Sequence, residues 1–320
     1  MIEKTQNTPL VSICIPMYNV AEYIEETLRR VLEQSYENIE IIIVDDHSTD
    51  NSYRLAKKFQ SEKVKLFKNE RKGGNAARNF AFKLSQGTYV KFMDSDDYCS
   101  NDMIKKQLDR MLKEGTEDTL IHSPLKMFYP DSTMLAPPRT IDKDFIPGIE
   151  LLVAIWKREG FNVPHCHLMH RNLVIKAGPW DEELIKNQDG EYFARVAAVA
   201  DKSLAVKDVF AFWRQTNKGV SAQKSIKAHA AVLHSYDLIA QLLLKYQDTP
   251  FMRELCGKYI GFFVLENYPQ VKAIFPELER ILEKLRCKLA LPNRKIVKLF
   301  SLCFGWKKGL IFLHKLKIIK

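Results

Sequence analysis

Two apolar runs in this chain stop directly on clusters of carboxylates, and that pattern restricts the fold more than any other. Residues 88–97 read TYVKFMDSDD, in which Tyr89, Val90, Phe92 and Met93 lead without interruption into Asp94, Ser95, Asp96 and Asp97. Residues 39–46 read IEIIIVDD, a second strand-like run ending in paired acids. Carboxylates at the end of a buried strand repel one another and lose hydration, a cost that a cation or a hydrogen-bonded ligand must compensate. A hard divalent ion with oxygen ligands, itself bridging phosphates, supplies that compensation. One such run alone reads as a polar turn capping a helix; its recurrence favours a shared site.

The surrounding pattern alternates strand and helix. Leu10 to Ile15 is expected to be a buried strand broken by Pro16, and Asn19 to cap a helix with Ile24, Leu28, Val31 and Leu32 inward. Strands are expected at 40–44, 64–67 and 88–93, with helices after Ser48-Thr49-Asp50 and after Gly73-Gly74. Such alternation predicts an α/β fold with a mostly parallel sheet flanked by helices on both faces. Ligands of open sheets of this kind bind at the carboxyl ends of the strands, so both acidic clusters are expected to face one crevice. Beyond residue 102 the pattern changes to a helix capped by Asp102, short strands near 120–129, a Pro-containing loop and a helix at 149–158. A strand from His165 to Met169, a helix near 189–199 and a strand from Val209 to Trp213 follow, and after about 224 everything reads as helix.

Composition limits the function classes. The 320 residues are 46% apolar and 28% charged, values of a soluble globular protein with room for one sizeable domain and additions. The opening MIEKTQNTP lacks the apolar core of a signal peptide, and no run approaches the ~18 apolar residues of a spanning helix. The six cysteines (Cys14, Cys99, Cys166, Cys256, Cys287, Cys303) are scattered without a CxxC pair, which fits a reducing, cytoplasmic setting. The net charge of +10 is unevenly placed. Residues 280–320 hold 12 Lys and Arg against one acid, Glu283, leaving 37 of the 49 bases against 38 of the 39 acids elsewhere. Leu278, Ile281, Leu282 and Leu285, then Ile296, Val297, Leu299, Phe300, Phe304 and Trp306, interleave with these bases. A basic amphipathic tail (about 276–320) of this kind is expected to lie on an anionic membrane surface; a basic face packed on the protein competes. The apolar content exceeds what a phosphate-tracking arm needs, so no nucleic-acid partner is expected.

Two further clusters invite chemistry. In ERKGGNAARN the glycine pair opens a helix beside Arg71, Lys72 and Arg78, a suitable place for a phosphate-bearing ligand, although it is neither a Walker loop nor GxGxxG. In VPHCHLMH, strand alternation puts His165 and His167 on one face and Cys166 on the other, which argues against a four-ligand zinc site.

Taken in order and spacing, VSICIPMYN, IEIIIVDDHSTDNS, NERKGGNAARN, YVKFMDSDD and NQDGEYFARV resemble the family 2 glycosyltransferases of the GT-A fold, over roughly residues 10–221. The resemblance implies a glycosyltransferase domain at 1–222, with a nucleotide-binding half at about 10–97 and an acceptor half at about 98–222. A helical extension at 223–320 then carries the basic tail. It implies an inverting, bacterial surface-glycan enzyme that moves a hexose or N-acetylhexosamine from a UDP-sugar to a glycan or lipid-linked acceptor. The cofactor implied is Mn2+ or Mg2+, and the place is the inner face of the cell membrane. By position, Tyr18, two residues past Pro16, is similar to the aromatic that stacks on the base, and Asp46 to the carboxylate that accepts the imide N–H. Gly74 and Arg78 are similar to the diphosphate side. Asp94-Ser95-Asp96 matches the DxD pattern, with Asp96 the direct metal ligand and Asp94 nearer ribose or sugar; Asp97 reads as a turn cap. Asp189 matches the general base, with Glu191 two residues on and Gln188 where the usual pattern has Glu. Arg214 resembles a donor contact, and the His165–His167 region the acceptor side. A sugar nucleotidyltransferase shows a Gly-rich basic loop after the first strand, where this chain reads PMYNVAEY. A membrane-bound scaffold without turnover is the non-enzymatic alternative.

Overall fold

The computed structural model describes residues 8–129, 133–216, 219, 223–291 and 295–316, with backbone alone at 295–304. In chain order the first elements are β1 (Val11–Met17), α1 (Ile24–Leu32), β2 (Ile39–Asp45), α2 (Ser52–Lys57), β3 (Val64–Lys68), α3 (Gly74–Leu84) and β4 (Tyr89–Phe92). Next come β5 (Tyr98–Cys99), α4 (Met103–Glu114), β6 (Thr119–His122), β7 (Leu125–Phe128), β8 (Met134–Leu135), α5 (Ile149–Trp156), β9 (His167–His170) and α6 (Arg171–Ala177). The remainder is α7 (Gln188–Val199), β10 (Lys202–Ala205), β11 (Ala211–Arg214), α8 (Ile226–Tyr246), α9 (Pro250–Glu266), α10 (Phe275–Lys284) and α11 (Lys295–Lys315), the last interrupted at Gly305. The chain divides into two compact units: Met1–Leu151, Glu159–Glu183 and Arg195–Asn217 in the first, and Leu152–Arg158, Leu184–Ala194 and Lys218–Lys320 in the second.

The first unit holds the expected α/β sheet, of seven strands in the order β10-β6-β9-β4-β1-β2-β3. All neighbours pair in parallel except β9, which runs antiparallel to both β4 and β6. Every residue of β1 and β2 is buried, as strands covered on both faces require. Ile13, Ile15, Ile41 and Ile43 pack with Ile24, Leu28, Val31 and Ala56 in one cluster, each such side chain contributing ~1.5–3 kcal/mol. Leu32, expected inward, is 40% exposed. A second sheet, β5-β11-β7-β8, stands where the sequence shows only short strand signals.

Pro16 does not break β1, which continues to Met17. The hydrogen bonds explain this: Leu10 and Cys14 offer their carbonyls to β4, Met17 offers its own to Asp46 on the opposite side, and Pro16 faces the β4 side. Since β4 pairs no further than Cys14↔Phe92, the missing N–H of Pro16 removes no ladder bond. Nor does Asn19 cap α1, whose N-cap is Tyr23. Asn19, in the left-handed region at φ 49°, instead ties two loops together: its Oδ1 accepts from the Thr49 N–H at 2.7 Å and its Nδ2 donates to Thr49 Oγ1.

At the opposite end of these strands a buried carboxylate fastens three segments. Glu40 accepts from Ser12 Oγ at 2.7 Å, from the backbone N–H groups of Gln86 and Gly87, and from Lys65 Nζ. A Cβ on Gly87 would lie 2.5 Å from Ser12 Oγ, so only glycine lets β1 pass here.

In the second unit Trp156 stacks on Tyr259 at 4.5 Å and meets Tyr236 edge-on. The segment after α10 lies on the glycine face of α9, where the Ala290 N–H donates to the Gly257 carbonyl and a Cβ on Gly261 would sit 2.1 Å from the Ala290 oxygen. The apolar stripe expected on a membrane is here inside the unit: Leu278, Ile281, Leu282 and Leu285 are buried. Trp306 packs edge-on against Phe275, Leu310 and Leu313 are fully buried, and Lys307 pairs with Glu279. The expectation of a membrane-lying tail is corrected for these residues, because their neighbours in the helical unit already cover them. Ile296, Val297, Leu299, Phe300 and Phe304 have side chains outside the described residues. Among the described residues no helix is long and apolar enough to cross a membrane.

Burial alone would raise the pKa of Glu40, but the bonds from Gln86, Ser12 and Lys65 hold it below its ordinary value near 4.5. A depressed carboxylate contributes stability above its unfolded-state pKa and loses that contribution as pH falls through the folded-state value. Glu40→Gln is therefore expected to cost about 1–3 kcal/mol in urea denaturation at pH 7. The difference from the parent protein should shrink when the titrations are repeated below the ordinary glutamate range.

Candidate active site

The DSDD turn begins where β4 ends, with the Met93 N–H still bonded to Cys14 and the Asp97 N–H closing onto the Asp94 carbonyl. Its three carboxylates go to three different environments. Asp94 is paired with Arg78, Nη2 to Oδ1 at 2.7 Å. Arg78 is itself buried, bonded to Asn75 and stacked 4.8 Å from the centre of the Trp180 ring. Asp96 is half-buried; among the described residues no other side chain bonds or pairs with its carboxylate, which takes a hydrogen bond from its own backbone. Burial and the neighbouring Asp94 charge push its pKa up to about 6 against the opposing pull of Arg214 and Arg78. Asp97 is almost wholly enclosed, and burial, then Asp96 and Asp94, hold its pKa well above the usual carboxylate range.

Asp97 and Arg214 form a reciprocal clasp. Asp97 Oδ1 accepts the Arg214 backbone N–H at 2.7 Å, and Arg214 Nε donates to the Asp96 carbonyl at 2.8 Å. The Arg214 guanidinium then pairs with Glu26 at 2.6 Å and lies over the rings of Tyr23 and Phe128. Strand β11 is thus bound to the turn, and the Arg214 charge is engaged before any ligand arrives. Ser95 is buried within the turn.

The second acidic pair lies at the carboxyl end of β2, next to β1. Asp46 accepts from the Gly73 N–H at 2.8 Å and from Asn69 Nδ2 at 2.8 Å. Gly73, at φ 135° and ψ 136°, adopts a backbone conformation that only glycine tolerates well, and it starts α3 at Gly74. Gly74 opens onto Arg78, whose Nη1 would lie 3.5 Å from an added Cβ. The start of α3 is also fixed from outside: Asn79 exchanges two hydrogen bonds with the Trp180 backbone, and Asn75 donates to the Asp181 carbonyl. Tyr18, directly after β1, is 49% exposed, whereas Pro16 is buried in the strand and presents no surface.

His165 and His167 do not share a strand face. Pro164 starts a 3-10 turn over Pro164–Cys166, which removes His165 from β9. His165 lies under Asp97, its Nδ1 3.6 Å from Oδ2, and burial pushes its pKa down to about 4, so the ring is neutral. His167 is held by Asn162 and the Pro164 carbonyl. Both rings are buried, so neither presents a face to a ligand. Close by, Lys91 is fully enclosed, its Nζ bonded to Gln107 and to the His167 carbonyl, and burial pushes its pKa down to about 8. Among the described residues no three His, Cys, Asp or Glu side chains converge into an all-protein metal cage.

Asp189 and Glu191 belong to the second unit, in the first turn of α7. Asn187, at φ 58°, bonds Ser235 at 2.7 Å and lies so close under Gly190 that a Cβ there would be 2.6 Å from its Oδ1. Asp189 is half-buried at this start; Glu191 is buried.

The model of glycosyl transferase family 2 matches residues 12–178, just over half of the chain. The chain belongs to this family. TuaG of Bacillus subtilis, a putative teichuronic acid biosynthesis glycosyltransferase, is 37% identical over 143 residues, 39% of this chain and 57% of TuaG. WfaP of Escherichia coli, a UDP-Glc:alpha-D-GlcNAc-diphosphoundecaprenol beta-1,3-glucosyltransferase, is 42% identical over 106 residues, 33% of this chain and 42% of WfaP. The aligned part thus spans about half the length of such relatives. The structure of Staphylococcus aureus TarS 1–349 with UDP-GlcNAc superimposes with a TM-score of 0.69 at 18% identity, covering 95% of this chain and 88% of that one. At that identity the likeness establishes the GT-A fold.

Within this family 2 chain the structure joins Asp46, Gly74, Arg78, Asp94, Asp96 and Arg214 at one end of the main sheet of the first unit. Sequence reasoning missed four contributors: Asp97, read as a cap, and Asn69, Asn79 and Trp180, which hold Asp46 and α3. Only Asp97 left a signal, since a third acid in DSDD has no role in a two-acid DxD pattern. Because the folded-state pKa of Asp97 is raised, the parent protein is relatively most stable at low pH and loses that advantage as pH rises above the unfolded value. Asp97→Asn keeps an acceptor for the Arg214 N–H without a charge to bury. Its stability relative to the parent is expected to improve from pH 4 to pH 7 in urea titrations, while Asp97→Ala, which strands that N–H, should cost about 1–3 kcal/mol throughout.

Proposed function

We propose that the chain is an inverting, metal-dependent glycosyltransferase that moves a hexose or N-acetylhexosamine from a UDP-sugar to a lipid-linked or surface-glycan acceptor. The observation that carries this reading is the unequal treatment of the DSDD carboxylates. Asp94 is neutralised by Arg78, whereas Asp96 is desolvated, repelled by Asp94 and offset only by its own backbone hydrogen bond and the more distant Arg214 and Arg78 charges. An all-oxygen site with one such carboxylate suits Mn2+ or Mg2+, which takes its remaining oxygens from phosphates and water. Asp96 would hold the ion, which when bound offsets charge developing on the departing diphosphate. Exposed Tyr18 suits stacking on the base, and Asp46, beside the start of α3, suits the uracil imide. The donor named in the WfaP description and the UDP-GlcNAc bound to TarS support a UDP-sugar, and the diphosphoundecaprenol of WfaP supports a lipid-linked acceptor.

In the reaction the acceptor hydroxyl oxygen bonds to the anomeric carbon as the bond from that carbon to the diphosphate oxygen breaks, with inversion. The hydroxyl proton passes to a base, because a protonated sugar hydroxyl is a poor nucleophile. Asp189, matched to the family's base by its motif, is assigned that role. A sugar nucleotidyltransferase is disfavoured, since the loop after β1 carries no Gly-rich basic run and is tied down through Asn19.

UDP with manganese is expected to raise the melting temperature, and Asp96→Asn to abolish the shift; absence of stabilisation by any nucleoside diphosphate would sink the proposal. Asp189→Asn should keep the shift while losing transfer by roughly 10²–10⁴-fold, and undiminished transfer would remove Asp189 as the base. The charges of the basic residues at 280–320, rather than the covered apolar face of the tail, are further proposed to hold the enzyme at the cytoplasmic face of the membrane. Co-sedimentation with phosphatidylglycerol vesicles that is lost at high salt is the expected result, and equal sedimentation with neutral vesicles would refute it.

A further inference from the structure

One exposed aromatic in the first unit is held with unusual care. Phe161 is 37% exposed and meets the Trp213 ring edge-on, centroids 5.7 Å apart at 81°. A scattered exposed aromatic needs no explanation. Here, however, a buried arginine is committed to the segment that carries it. Arg139, with 5% of its side chain exposed, donates from Nη1 to the Phe161 carbonyl and from Nη2 to Asn162 Oδ1, both at 2.7 Å. Its charge is balanced by Asp142 through Nε and Nη2. Gly160, at φ 149° and closely packed on Arg139 and Ile141, gives the bend that brings Phe161 out. The second ring is only partly exposed, because Trp213 also packs against the hydrophobic core of the first unit. Trp213 immediately precedes Arg214, whose backbone N–H is bonded to Asp97, so the indole is carried one residue from the DSDD turn.

We propose that Phe161 and Trp213 form a stacking corner for the pyranose ring of the acceptor. This rests on the glycosyltransferase reading above and adds to it where the acceptor sugar is gripped. The axial C–H groups of a pyranose form an apolar, slightly positive face that suits the negative face of an aromatic ring, while its equatorial hydroxyls stay at the wet rim. Two rings at a right angle fix both the plane and the edge of one sugar. Rigid presentation also limits the ordering cost that would otherwise reduce the weak affinity of a single sugar ring.

The test uses the full chain with UDP and manganese and follows methyl β-D-glucopyranoside, methyl β-D-galactopyranoside, methyl α-D-mannopyranoside and methyl N-acetyl-β-D-glucosaminide by saturation-transfer NMR. At least one should receive saturation, strongest on its axial C–H protons. Phe161→Ala should weaken that binding about fivefold or more, and Phe161→Tyr should restore it, with the UDP-induced melting shift unchanged in both. A normal UDP shift with pyranoside signals that are absent or indifferent to Phe161→Ala overturns the corner while leaving the donor reading intact. Farnesyl phosphate losing its signal in Phe161→Ala while the pyranosides keep theirs overturns it in favour of an isoprenoid site. Loss of the UDP shift in the parent protein overturns the donor reading itself.

Discussion

The candidate donor site depends on one enclosed carboxylate. Asp97 has given up its hydration, and a buried acid without a partner would be expelled. It is retained because the Arg214 N–H reaches it at 2.7 Å and the Arg214 side chain returns to the Asp96 carbonyl. The backbone of the turn is thereby fixed at both of its last residues, and the small second sheet is fixed to the end of the large one. A neutral His165 beneath Asp97 adds no second charge to the enclosure. With Asp97 committed inward, Asp96 remains beside Asp94 and the two charges repel each other.

The other acid is treated in the opposite way. Asp94 meets a guanidinium immobilised by Asn75 and by the Trp180 ring, so its charge is offset in the free protein. Charge held in fixed geometry does not need to be reorganised when a charged ligand arrives, the condition for electrostatic preorganisation. The same economy governs α3. Its first turn is oriented by Asp46 through Gly73 on one side and by the Trp180–Asp181 backbone on the other, so its N–H groups are held in place independently of any ligand.

The parallel sheet and its helices were legible because buried parallel strands leave continuous apolar runs and amphipathic helices leave periodic ones. Both acidic ends could therefore be located from IEIIIVDD and YVKFMDSDD alone. What escaped was set by contacts distant in sequence. The second sheet consists of strands of two to four residues, too short to show a period. The alternation of the two histidines starts β9 too early, because Pro164 instead opens a 3-10 turn over Pro164–Cys166. Pro16 reads as a breaker because its tolerance depends on β4 ending early, which no local pattern records. The docking of Trp180 on α3 joins the Asn79 side chain to the Trp180 backbone, 101 residues further on, and backbone atoms carry no sequence signature.

The tail shows how an amphipathic pattern can be right about a helix and wrong about what it faces. The apolar side of α10 and the last turns of α11 are covered within the helical unit, with Trp306 against Phe275 and Leu310 and Leu313 enclosed. Apolar area already removed from water cannot be gained again at a membrane. What these residues leave to the solvent is mainly charge, with Phe312 and Leu316 as half-exposed apolar exceptions, and a Lys or Arg near an anionic surface is worth ~1 kcal/mol at physiological ionic strength. Several such residues together give a reversible attraction that falls with added salt, unlike the binding of an inserted Trp-bearing helix. Under the proposed membrane association, the described part of the tail would meet the surface through its charges, with Phe312 and Leu316 as the apolar side chains still open to it.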